Sequence, residues 1–351
     1  MSVAGEPLAR PPSPWGESAR SIAAVQCDSG MIPRRAAGEG DPWNHVEAAM
    51  ALAAFGELDA AGRAYEWLAR VQRPDGAFHA SYRPDGSVAD ERLDTNQTAY
   101  VAAGALHFLL SSGDVAFARQ LLAVVDRALG FVLAHQWPGG QVAWSVEPGG
   151  REGTFALLAA SCSIHASLRA AARLARLVGA RRPRLAAAAG ALGEAIAWRE
   201  PSFADRSVYA MDWYYPVLGG VLAGAPARRR LAARRSTFVL EGAGVRCRRD
   251  RRWVTTAETA ECALAYLRAG CAEEAAALLR TTEDKRLRDG SYLTGLVLPE
   301  RSSFPAGEAS TYSTAAVLLA ADALAGGEAT RAVFSVDPRA RPAAGLAGWP
   351  G

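Results

Sequence analysis

Acidic and aromatic residues recur together at the starts of apolar stretches. They are Asp41 and Glu47 with Trp43 and His45, Asp94 with Asn96, Asp212 with Trp213 and Tyr214, Glu258 and Glu261 with Trp253, and Glu308 with Tyr312. His165 lies in a further stretch of the same kind. Two kinds of chemistry want such a mixture. Glycoside cleavage needs one carboxylic acid to protonate the leaving oxygen and a second carboxylate as base or nucleophile, while aromatic faces stack on sugars. Acid-started cyclisation needs one carboxyl to protonate an alkene or epoxide, and aromatic rings to hold the cation that results. Both need a carboxyl whose pKa is raised by burial or by a like charge. Asp41, Asp94, Asp212, Glu258 and Glu308 are therefore the candidate catalytic acids. Trp43, His45, Glu47, Asn96, His165, Trp213, Tyr214, Trp253, Glu261 and Tyr312 are the candidate substrate contacts.

Each candidate also has a plainer explanation. Asp41 precedes Pro42 and an apolar run, which reads as an N-cap followed by proline at the first helical position. Asp94 with Gln97, and Thr255 with Glu258, fit the capping-box spacing. Glu308 follows Gly307 and suits a loop. A histidine inside an apolar helix is commonly a satisfied structural residue, and Trp43, Trp253 and Tyr312 suit simple packing. Asp212 lies between Met211 and Trp213, where an idle carboxylate is costly, so it is the sharpest candidate. The arginines Arg246, Arg248, Arg249, Arg251 and Arg252 precede Trp253. They read either as a solvated loop or as a grip for a diphosphate or an acidic sugar.

The elements that carry these residues are of two alternating kinds. One kind of helix has a charged face, as in 59–72 with Arg63, Glu66 and Arg70 on one side and Tyr65, Leu68 and Val71 available for the other. The other kind, as in 41–55, is apolar nearly all round apart from its first turn and must be buried on every side. Six such pairs at intervals of roughly fifty residues match a ring of helical hairpins. The pattern predicts an all-α fold, an (α/α)6 toroid of six inner and six outer helices over 14–326. A loose arm at 1–13 precedes it, and a Gly-, Ala- and Pro-rich tail at 327–351 follows it. In such a ring the inner-helix starts collect around one pocket.

A net charge of +3 spread over 351 residues gives no sign of nucleic-acid binding. Five cysteines without C-x-x-C spacing argue against a disulfide framework or structural zinc. No local spacing suggests a metal, and no cofactor is expected. The N-terminus lacks a basic region followed by an apolar one, and 157–164 is too short to span a bilayer, so the expectation is a cytoplasmic protein. The expected partner is a small molecule, isoprenoid or carbohydrate, in the central pocket.

The outer helices end in a repeated turn: Gln72/Gly76/Phe78, with looser copies at Gln26/Gly30 and Gln136/Gly140 and a weaker one at 289–292. Q-x-x-x-G-x-aromatic resembles the repeat of the terpenoid cyclase and protein prenyltransferase α/α-toroid superfamily, over about 14–325. The resemblance implies a transferase or cyclase working through a cationic intermediate. That family's D-x-D-D, D-D-x-x-D and zinc-binding D-x-C motifs are missing from this sequence. The same toroid serves six-hairpin glycosidases and sugar isomerases, whose acids sit at inner-helix starts. A glycan-active enzyme is the alternative expectation, and a non-catalytic binding toroid the third.

Overall fold

The computed structural model describes residues 15–337. In chain order its helices are α1 (Gly16–Ala24), α2 (Pro42–Ala54), α3 (Leu58–Val71), α4 (Thr95–Ser112), α5 (Val115–Ala134), α6 (Leu158–Leu177) and α7 (Pro183–Trp198). They continue with α8 (Met211–Leu218), α9 (Gly224–Phe238), α10 (Thr256–Arg268), α11 (Ala272–Arg280), α12 (Thr311–Ala325) and α13 (Glu328–Val333). The even-numbered helices α2 to α12 each pack on the next, and α12 packs on α2, which closes the inner ring. The odd-numbered helices α1 to α11 form the outer layer. The expected (α/α)6 toroid is the observed fold. The expected arm at 1–13 lies outside the described residues.

The inner helices are buried on every side, as their composition requires. In α2, Val46 through Leu52 are all essentially inaccessible, while α3 buries only a stripe including Ala61, Ala64, Tyr65 and Leu68. Asp41 does cap α2, accepting a hydrogen bond from the Asn44 amide with Pro42 following at the first helical position. Asp114 caps α5 in the same way through the Phe117 amide.

The repeated turn has a single mechanical job. Gln26, Gln72 and Gln136 each donate from Nε2 to the carbonyl of the turn glycine, Gly30, Gly76 and Gly140, at 2.9 Å. Each also donates to a carbonyl of the following outer helix, at Ala60, Val124 and Ala188. At Gly76, φ is +92°, and an added Cβ would lie 2.1 Å from the Arg127 carbonyl oxygen. Only glycine fits that approach. The turn thus spaces one outer helix from the next. At the fourth copy, Gly290 lies against Glu17 and Ser18 of α1, and Arg286 forms an ion pair with Glu17 at 2.5 Å, closing the outer ring.

A second repeat opens three inner helices. Thr95, Thr256 and Thr311 begin α4, α10 and α12, and their hydroxyls donate to Ala143, Leu293 and Pro33 carbonyls at 2.6–2.8 Å. Three residues on, Thr98, Thr259 and Thr314 accept from the Phe78, Val245 and Tyr292 amides. These bonds anchor the connecting loops to the ring.

Small sheets add to the mouth of the ring. β1 (His79–Tyr82), β2 (Val88–Asp94) and β3 (Ser145–Val146) form one antiparallel sheet. β4 (Val239–Leu240) and β5 (Gly244–Val245) form a second, and β6 (Trp253–Thr255), β7 (Gly295–Val297) and β8 (Ser302–Ser303) a third. Strands β2 and β6 run straight into α4 and α10, so the sheets fix the helix starts that carry the candidate residues. The stretch after Gly326, expected to be a tail, instead supplies α13 and a buried Val336. Thr330 donates to Asp322, and Arg173 and Arg268 donate to carbonyls at Ala332 and Phe334. This segment closes the far end of the ring. Among the described residues, no helix is long and apolar enough to cross a membrane.

Candidate active site

The residue five positions after the first residue of α2, α4, α6 and α10 is Glu47, Tyr100, Ser163 and Glu261 in turn. With Tyr215 of α8 they line one narrow central cavity of about 30 Å3, capped by Trp43 and floored by Val333 and Phe334. Glu47 accepts a hydrogen bond from the Tyr100 hydroxyl. Glu261 accepts from Tyr214 at 2.5 Å, from Tyr215 at 3.2 Å and from Tyr312. Trp43 stacks on Tyr100 with ring centroids 3.9 Å apart. Burial pushes Glu47 up to about 7 and Glu261 up to about 8, and the charge of Glu47 adds to the rise at Glu261. Both carboxyls hold protons close to neutral pH.

Above this belt lies the mouth. A cleft of about 660 Å3 is lined by Asp41, Gln97 and Glu308 among arginines that include Arg34, Arg83 and Arg92. That volume suits a sugar-sized ligand. Asp41 is buried, takes Asn44 Nδ2 at 2.6 Å and lies 3.6 Å from the Arg34 guanidinium. Burial raises its pKa against the pull of the Asn44 amide and of Arg34. Burial likewise pushes Asp94 up to about 6, against the Gln97 and Asn96 amides and the Trp144 indole, with Asp41's charge adding to the rise. Glu308 accepts from the Thr294 hydroxyl at 2.9 Å.

Asp94 caps α4 as its spacing predicts, through the Asn96 and Gln97 amides. The reciprocal half of the box is missing, because the Gln97 carbonyl oxygen has no partner, and neither has Asn96 Oδ1. Both acceptors are buried, and Gln97 lines the cleft. The box expected at Thr255 and Glu258 does not form. Thr255 makes no capping bond, since the Thr256 and Thr259 hydroxyls already tie that end of α10 to its loops. Glu258 is left half-buried and, among the described residues, forms no ion pair.

The remaining candidates separate clearly. Asp212, on the first turn of α8, accepts from the Ala159 amide at 3.3 Å, and burial pushes it up to about 6. Trp213 points the other way: it stacks on Phe238 of α9 and donates to the Arg230 carbonyl, so it joins inner to outer layer. His45 is fully buried between the Ile32 amide, which donates to Nδ1, and the Ala64 carbonyl, which accepts from Nε2. It holds, in α2, the place of the second threonine of the other inner helices, and burial lowers it to about 4. His165 donates from Nδ1 to the Gly219 carbonyl, two turns below the start of α6. Trp253 lies in the third sheet, edge-on to the exposed Phe304. The structure therefore gathers Asp41, Asp94, Asn96 and Glu308 at the mouth, and Trp43, Glu47, Tyr214, Glu261 and Tyr312 at the belt. It leaves His45 and Trp213 in packing, and His165 beside a separate cavity farther along α6. Tyr100, Tyr215 and Gln97 join the site without having been singled out. The helical offset of five from the helix start was the signal for Tyr100, and Tyr215 stands four after the start of α8.

With that geometry in hand, comparison with known proteins is decisive about family. Over 323 residues, 92% of this chain and 89% of the relative, the sequence is 42% identical to the MMP endo-(1,4)-3-O-methyl-alpha-D-mannosidase of Mycolicibacterium hassiacum. The chain belongs to this mannosidase's family. No family model matches it. Among solved structures, a glycosidase superposes with a TM-score of 0.68 at 16% identity, covering 92% of this chain and 96% of the other. The cellobiose 2-epimerase of Spirochaeta thermophila gives 0.64 at 15% identity, with 94% and 100% covered. A D-mannose isomerase gives 0.62 at 12%, with 90% and 99% covered. These three share the toroid.

The family membership corrects the expectation of a prenyltransferase or terpene cyclase. The Gln–Gly turn that suggested it spaces outer helices and touches no reactant. The isoprenoid substrate falls with it.

Proposed function

We propose that the chain is a glycoside hydrolase that cuts within α-(1,4)-linked mannosyl chains bearing 3-O-methyl groups, at the mouth of the toroid. The observation that carries this reading is the 42% identity to a named endo-mannosidase over 92% of the chain. The site's chemistry agrees with it. Asp41 and Asp94, side by side with raised pKa values, form the acid side, where one proton is available for the leaving oxygen. Glu308, in the same cleft, and Glu258, on the first turn of α10, are the half-buried carboxylates suited to the base role. Gln97, whose side-chain oxygen is buried without a partner, lines the cleft as an uncharged polar group for a sugar hydroxyl. Trp43 over Tyr100 gives an aromatic base below the reacting ring. The buried Glu47 and Glu261 hold the tyrosines of the belt in place and act as positioning residues.

The test is direct. Purified protein is incubated with α-(1,4)-linked 3-O-methylmannose oligosaccharides and the product lengths are followed by mass spectrometry. Internal cleavage into shorter oligosaccharides is expected, with α-(1,4)-glucan untouched. Folded protein that leaves the chains intact, or releases only single sugars from an end, overturns the reading.

A further inference from the structure

The closed end of the ring carries a feature that the mouth chemistry does not use. His165, Arg169, Arg173 and Arg176 follow one another at spacings of four, four and three along α6, which puts them on one face. They border a cavity of about 500 Å3 whose other walls come from α7, the end of α8 and α13. Among the described residues no carboxylate lines it, and Arg169, Arg173 and Arg176 form no ion pair. The rest of the wall is small and apolar, with Ala186, Ala189, Gly190 and Leu218.

A fourth guanidinium, Arg268 of α10, lies behind the cavity wall at Gly220, outside the lining itself. Arg268 Nη2 and Arg169 Nη1 lie 2.8 and 3.3 Å from the point where a Cβ on Gly220 would stand, so two like charges converge there. Each spends nitrogens on backbone carbonyls: Arg268 on Phe334 and Ser335, Arg173 on Ala332, Arg169 on Gly220. Arg268 Nε remains buried without a partner. Burial and the neighbouring Arg169 lower the Arg268 pKa to about 10, the direction expected of cations gathered without a counter-ion. Arg169 and Arg176 are exposed and Arg173 is half-buried, so the forks along this wall are open to a bound dianion, which pairs with them better than water does.

We propose that this cavity is a second binding site, for a small molecule carrying a phosphate group. Guanidinium forks match phosphate oxygens bidentately, and the alanine and glycine wall leaves room for an organic body. The volume is in the range of small-molecule sites. The site shares Ala166, Leu218, Gly219 and Val333 with the central cavity, so its ligand would brace the floor beneath Glu47 and Glu261.

Isothermal titration of the full chain tests this at constant ionic strength, with inorganic phosphate in one arm and a hexose phosphate in the other. Saturable binding in the millimolar range or tighter is expected, with a matching rise in melting temperature. Equal affinities in the two arms assign the site to phosphate itself, and tighter hexose phosphate binding assigns it to a phosphorylated metabolite. The pair Arg169→Ala and Arg173→Ala should weaken binding at least about tenfold. If that variant does not fold, Arg169→Lys with Arg173→Lys keeps the charge but loses the forks, and a severalfold loss is expected. No saturation by either probe, or unchanged affinity in the substituted protein, overturns the proposal.

Discussion

Replacing Glu261 by glutamine should change how the stability of this protein depends on pH. Glu261 sits in the ring's interior, held by Tyr214, Tyr215 and Tyr312, and burial with the Glu47 charge raises its pKa from 4.5 to about 8. A carboxyl raised on folding binds its proton more tightly in the native state. Its contribution is fully present below the unfolded value of 4.5 and is lost as pH climbs through about 8. Each pH unit of that window is worth about 1.4 kcal/mol, so the whole shift corresponds to at most about 5 kcal/mol. Glu47, raised to about 7, titrates with the same sign. Glutamine keeps the shape of the protonated acid and cannot ionise. Urea midpoints measured from about pH 5 to about pH 9 should therefore fall steadily in the natural protein. In Glu261→Gln the fall should flatten through pH 7, where Glu47 is half titrated, and be nearly over by about pH 8. A substituted protein whose midpoints run parallel to the natural ones between pH 7 and pH 8 would refute the raised pKa, and with it the dry, like-charged belt.

Other substitutions separate structure from chemistry. Asp94→Asn and Glu258→Gln should each lower kcat on methylmannose oligosaccharides by about 100-fold or more if they serve as acid and base, with melting temperature nearly unchanged; full activity in both would remove them from the reaction. His45→Ala should destabilise, because the Ile32 amide and Ala64 carbonyl lose buried partners at about 1–3 kcal/mol each, while the folded fraction keeps its kcat. Gly76→Ala should cost about 1–3 kcal/mol from its left-handed backbone alone, and more from the clash with the Arg127 carbonyl, read as a lower urea midpoint without change in KM. Tyr312→Phe removes one donor from Glu261 and should raise that carboxyl's pKa further, moving the high-pH end of the stability loss upward.

The ring was legible because its signal is compositional and repeated. A helix such as α12, apolar on every face from Ala315 to Ala321, has no stable place except inside a layer of other helices, and the six of them can all be buried only by closing on each other. Caps were legible one residue at a time, as Asp41, Asp94 and Asp114 show. The small sheets were not, since β3, β4, β5 and β8 are two residues each and carry no period. Nor was α13: six residues in a Gly- and Ala-rich stretch look like a tail until the Arg173 and Arg268 guanidinia that hold its carbonyls are in place.

The candidate site was legible in position but not in direction. Counting from each helix start puts Trp43, Glu47 and Glu261 near the axis, but the count slips by one at α8, where Tyr215, four after Met211, faces the hollow and Trp213, two after it, turns outward to Phe238. A one-residue change in offset is about 100° around a helix, and only packing decides which neighbour faces the hollow. The same ambiguity explains the mistaken chemistry. The Gln72–Gly76 turn is informative because a glycine must meet the Arg127 carbonyl where outer helices touch, and any toroid of this size has that contact to make. Its physical cause lies on the outside of the ring. The reaction is decided at the other side of the inner helices, by which starts carry carboxyls and which of those are left unspent after capping and loop anchoring. Glu258 makes the point. Thr256 and Thr259 take over the anchoring at α10, so this carboxylate caps no helix and keeps the Cys247 thiol as a partner, at the end of the ring where Asp41, Asp94 and Glu308 also lie.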